Sequence, residues 1–147
     1  MCYQVVLSLD SPEDLSPRGD AQVAFSRELP GLPGEASLAH PHRWFVGSRH
    51  RCSCGFRHLH VSSVELGFAE PVDWYPEEPE DVQATLRFIA VVRDLVAQGA
   101  RVDCIDVWQD EEGGGSLAGT VEVDLGRVSD RAFRFMENHR FVFESRR

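Results

Sequence analysis

One segment restricts the fold of this chain more than any other: the run from Pro79 to Gln98. Val82, Leu86, Ile89, Val92 and Val96 recur at helical spacing, and Phe88, Val91 and Leu95 widen the apolar stripe. Pro79 suits the first helical position, where its missing N–H has no intrahelical partner to lose. Glu80 and Asp81 place negative charge at the positive end of the helix dipole, and Gly99 stands where a C-terminal cap belongs. The pattern predicts a long helix over about 79–98. An apolar face this broad has to be covered, and the surrounding sequence supplies strands to cover it.

Cys2–Leu9 alternates, with Val5, Leu7 and Leu9 on one face, and Cys2 is expected to begin an edge strand. Ala21–Leu29 sets Val23 and Phe25 against Gln22 and Ala24. Arg43–Gly47 and Val61–Gly67 read as further short strands, while Pro30–Gly34 and the acidic, proline-bearing Glu70–Pro79 read as irregular connections. After the helix, Val102–Trp108 places Val102, Cys104, Asp106 and Trp108 on one face. Gly119–Leu125 alternates again, so the two strands are expected to form a hairpin across the flexible turn Asp110–Ser116. Ser129 can N-cap a short C-terminal helix over Asp130–Asn138, anchored by Phe133 and Met136. Phe141–Phe143 then closes the sheet as an edge strand. The fold class that follows is α+β: a single domain over 1–147, mainly an antiparallel sheet, with the long helix packed on one face.

Composition narrows the partners. A net charge of −9 disfavours nucleic acid, whose binding depends on cations replacing condensed counterions. No apolar run approaches the roughly 20 residues that span a bilayer, and the N-terminus lacks a basic n-region. The expected location is cytoplasmic, where thiols stay reduced.

The chemistry-bearing residues are concentrated between His40 and His60, which hold five of the six histidines, two of the four cysteines and four of the 15 basic residues. Thiols and imidazoles at this density suit a soft cation. Cys52 and Cys54 form a C-x-C pair. In an extended strand such residues stand about 6.6–6.8 Å apart along the chain, whereas two sulfurs on one zinc ion lie roughly 3.8 Å apart. The backbone must therefore curl, and Gly55 is expected to permit it. His58 and Cys104 are the expected further ligands, with His50 and His60 as alternatives. The same pair also fits two alternatives: a redox-active pair, with Arg51 and Arg57 favouring the thiolate, or a nucleophilic one, with Cys54 attacking, His58 as base and Asp73 orienting it.

Charge is segregated. Arg43, Arg49, Arg51 and Arg57 occupy an acid-free window, and Glu65, Glu70, Asp73, Glu77, Glu78, Glu80 and Asp81 follow. The two blocks either face each other, within the fold or across a homodimer, or form separate solvated surfaces. Trp74 and Tyr75, with Arg51 and Arg57, are the expected partner or ligand contacts. Three functions fit: a non-catalytic binding module whose 50–60 loop holds structural Zn²⁺; a small thiol- or metal-dependent enzyme using Cys52 and Cys54 with His58; or a metal-free homodimeric interaction subunit. The first is preferred. Nothing in the sequence names a substrate or small-molecule ligand.

Overall fold

A computed structural model describes residues 2–110, 113–114 and 116–145. Among them are β1 (Cys2–Leu9), β2 (Val23–Ser26), β3 (His42–Ser48), β4 (His58–Leu59), α1 (Pro79–Ala97), β5 (Val102–Asp110), β6 (Gly113–Gly114), β7 (Gly119–Asp124), β8 (Phe135–Met136) and β9 (His139–Glu144). The main sheet runs β2-β3-β1-β5-β9-β7, with β6 paired to the end of β5. Its ladders are antiparallel except β7–β9, which is parallel. β4 and β8 form a separate parallel pair. The fold is α+β, as the periodicities predict.

Alternation along the central strands decides which side each residue serves. Val5, Leu7 and Leu9 of β1, with Val102 and Cys104 of β5, share a buried cluster with Phe88, Val92 and Leu95 of α1. Val6, Ile105 and Val107 face the other way, where Leu32 and Leu38 cover them. The helix side is rich in aromatics. Phe88 lies 5.0 Å from Phe135, 6.1 Å from Phe56 and 6.2 Å from Phe133, ring centre to ring centre. At the end of α1, Gly99 adopts φ 95°, a left-handed conformation that carries no side-chain penalty in glycine.

Five expectations about the fold need correction. Val61–Leu66 is a 3₁₀ segment, not a strand. Val61 and Val64 are three apart, the 3₁₀ repeat, and the Val61 N–H donates to the Glu137 carboxylate (3.0 Å) rather than to a ladder. The β5–β7 hairpin is replaced by insertion of β9 between them, so Phe141–Phe143 lies inside the sheet, not at its edge. β1 is likewise internal, flanked by β3 and β5. The helix expected over Asp130–Asn138 gives way to turns and β8. Phe133 and Phe135 are both fully buried; residues two apart share a face in extended chain but diverge on a helix. Of the turn expected over Asp110–Ser116, residues 111, 112 and 115 lie outside those described.

Candidate metal centre

The antiparallel pairing of β1 with β3 brings the start of β1 beside the end of β3. Paired residues run from Leu9↔His42 to Val5↔Val46. Past Ser48 the chain leaves the sheet in a tight turn. Arg51 N–H donates to the Ser48 carbonyl (2.9 Å), Ser48 N–H to the Cys52 carbonyl (2.8 Å), and the Ser48 hydroxyl to the same carbonyl (2.6 Å). The residue in the left-handed region here is Arg51, at φ 69°. Gly55 is required for a different reason from the one expected. A Cβ on it would stand 2.6 Å from Ser48 Oγ and 2.8 Å from Ser48 Cβ, so the Ser48 side chain already fills the space a side chain at 55 would need.

The segment after the turn then continues the ladder with side chains. The buried Ser53 hydroxyl donates to the Val46 carbonyl (2.6 Å) and accepts the Val5 N–H (2.8 Å). Two residues earlier on β1, Tyr3 N–H donates to Cys54 Sγ (3.2 Å). These contacts dock the C-x-C segment on the first residues of β1. They gather Cys2, Cys52 and Cys54, whose sulfurs all lie within 4.8 Å of one another and are only partly buried.

The donor set suits a thiophilic cation. Sulfurs bound to one zinc ion lie roughly 3.8 Å apart, so the sulfurs need to close by an ångström or less. Three thiols with no carboxylate among them favour zinc or copper(I) over magnesium or calcium. Burial opposes ionisation of Cys52, but hydrogen bonds from the Cys54 amide and thiol and the Cys2 thiol outweigh it and lower its pKa. Burial dominates at Cys54 and raises its thiol to about 12.

The expected ligands divide. Cys52 and Cys54 belong to the cluster, and Cys2 joins them. Cys104 does not: it is fully buried against the α1 side of the sheet, where burial pushes its pKa well up. His58 does not either. Its Nδ1 lies 2.8 Å from Asp106 Oδ2 and its Nε2 2.6 Å from the Ser53 carbonyl, so both ring nitrogens are engaged. The Tyr3 ring stacks on it at 3.9 Å and 4°. The Nε2 contact with a carbonyl requires a proton on that nitrogen, so His58 holds Ser53 in place and offers no lone pair to a cation or to the Cys54 thiol. The group orienting it is Asp106, whose pKa burial raises, and not Asp73. His60 is exposed and 3.9 Å from Glu137 Oε1. His50 is exposed on the turn and lines a depression of about 380 Å³ together with Cys2, Gln4, Phe45, Arg51 and Cys52.

Arg57, an expected surface contact, is buried. Its guanidinium grips Glu77 through two 2.7 Å bonds and donates to the carbonyls of Arg131, Phe133 and Ala69. Arg49 meets Asp81 at 2.9 Å, so part of the basic block faces part of the acidic block within the fold. Arg51 and Trp74 are exposed, Trp74 at 70%, and Tyr75 is half-buried beside it. No family model, curated protein or solved structure matches this chain. No helix among the described residues is long and apolar enough to cross a membrane.

Cys2 is the member of the cluster that spacing along the chain does not reveal, since it is 50 residues from its nearest partner. The available signal was strand pairing: an antiparallel first and third strand places residue 2 beside whatever follows residue 48. Asp106 is legible as a polar residue on the β5 face that carries Cys104, but its pairing with His58 is not.

Proposed function

We propose that this protein is a non-catalytic binding module of the cytoplasm in which Cys2, Cys52 and Cys54 hold one Zn²⁺. The observation that carries this reading is the meeting of three sulfurs, from two distant chain segments, within 4.8 Å. The bound ion would supply no chemistry beyond cross-linking β1 to the C-x-C segment, adding its binding free energy to folding. Structural zinc sites have four protein ligands. His50, on the rim beside Cys2 and Cys52, is the donor at hand for the fourth position. Exposed Trp74 is the aromatic through which the module would contact a partner.

Protein purified without a metal-affinity column is expected to carry one zinc per chain by elemental mass spectrometry. Cys52→Ser and Cys54→Ser should each lose the ion and melt at lower temperature, and chelator should lower the melting temperature of wild type alone. Equal melting temperatures with and without chelator, in wild type saturated with zinc, would sink the reading. X-ray absorption separates the structural site from a reactive one: three sulfurs and one nitrogen fit the first, and an oxygen in the fourth position favours a metal-dependent enzyme.

A further inference from the structure

The three sulfurs do not face the same space. Cys2 and Cys52 line the depression beside His50 and Arg51. Cys54 lines a different cleft, of about 400 Å³, with Tyr3, His58, Tyr75, Asp81 and Trp108. Of the three cysteines, Cys2 and Cys52 are the two that line the first depression, where a small reagent would meet them.

The three possible disulfides also differ in what they disturb. Joining Cys52 to Cys54 requires Ser53 to twist, because bridged cysteines tolerate a narrow geometry. Ser53 is held on three sides: by Val5 N–H, by the Val46 carbonyl and by His58 at its own carbonyl. Joining Cys2 to Cys54 pulls Cys54 Sγ away from Tyr3 N–H. Joining Cys2 to Cys52 breaks none of these bonds. It asks two partly exposed side chains to close from at most 4.8 Å to the bond length of about 2.05 Å, which side-chain rotation supplies.

We propose that Cys2 and Cys52 are an oxidation-sensitive dithiol whose oxidant is a hydroperoxide. Cys52 attacks the peroxide oxygen as its thiolate. The O–O bond breaks, hydroxide leaves and takes a proton as water, and Cys52 becomes a sulfenic acid. The Cys2 sulfur then attacks the Cys52 sulfur, the S–O bond breaks, and a second water leaves. Two thiols have lost two electrons and two protons, and hydrogen peroxide has become two waters. The disulfide ties β1 to the turn as the metal would, and removes two of the metal's ligands. The pair is independent of whether metal binds.

Zinc-free, reduced protein treated with stoichiometric hydrogen peroxide, alkylated and cleaved after arginine tests this. Cys52 and Cys54 share the peptide ending at Arg57, and Cys2 lies in the peptide ending at Arg18. The expected product is these two peptides joined, with Cys54 alkylated and two hydrogens lost. Cys54→Ser should preserve the link and Cys2→Ser abolish it. A Cys52–Cys54 disulfide as the main product, singly oxidised cysteines without a link, or no reaction under excess peroxide would each overturn the proposal. Repeating the reaction on zinc-loaded protein keeps the two readings apart. Protection requires that metal bind, whereas the link in zinc-free protein forms either way.

Discussion

At Ser53 a hydroxyl stands in for a rung of the β1–β3 ladder, and its neighbours at positions 52 and 54 are thereby placed beside residue 2. The closeness of this packing is testable at Gly55. Gly55→Ala should cost about 1–3 kcal/mol by overpacking, read from the denaturant midpoint. Adding Ser48→Ala should not restore it, because Ser48 Cβ would still stand 2.8 Å from the new methyl group; a loss of only a few tenths would contradict the close approach. Cys54 sets a pH dependence. Its thiol is raised by burial to about 12 in the folded, metal-free protein, above the unfolded value of about 8.5. Between those values the unfolded chain binds fewer protons, so stability should fall as pH rises from about 8.5 toward 12. Urea midpoints across that range should decline less steeply in zinc-free Cys54→Ala than in wild type. At this scale two of the three thiols were legible in sequence, because C-x-C is a local pattern. Cys2 was not, because its neighbours depend on strand register.

The elements show the same division. α1 was readable almost to the residue because its caps and its stripe are all local. The last third of the chain was not. The parallel β7–β9 ladder joins strands with a long excursion between them, and nothing in an alternating strand names its neighbour. Arg57 shows how that excursion is held. It links the segment after β3 to Glu77, just before α1, and to the carbonyls before β8. Both partners are nearly inaccessible, with side-chain exposures of 1% and 7%. Arg57→Met leaves the buried Glu77 carboxylate only a 3.5 Å contact with Arg134 and takes the donor from the Arg131, Phe133 and Ala69 carbonyls, so it should cost about 3–5 kcal/mol. Glu77→Gln alone strands both Arg57 and Arg134, so the double variant Arg57→Met/Glu77→Gln should be less unstable than the sum of the two singles in the same unfolding assay. A double variant as unstable as the sum of the two singles would show that the charges are not coupled.

For the molecule as a whole, the acidic excess visible in composition is only partly a solvated surface. Arg49 and Arg57 turn part of it inward. The sheet order matters more. β5 pairs on one side with β1, some hundred positions earlier, and on the other with β9. Deleting residues from His139 onward is therefore expected to give a chain that aggregates, since one side of β5 and the remaining ladder of β7 lose their partner together. A monomeric, cooperatively melting truncation would contradict that. During synthesis the same topology imposes a delay. β9 follows β5 by some thirty positions, so the nascent chain carries the exposed edge of β5 until β9 has left the ribosome. Chaperone demand should therefore persist through the interval between β5 and β9, although the thiol-bearing segments have met their β1 neighbours much earlier.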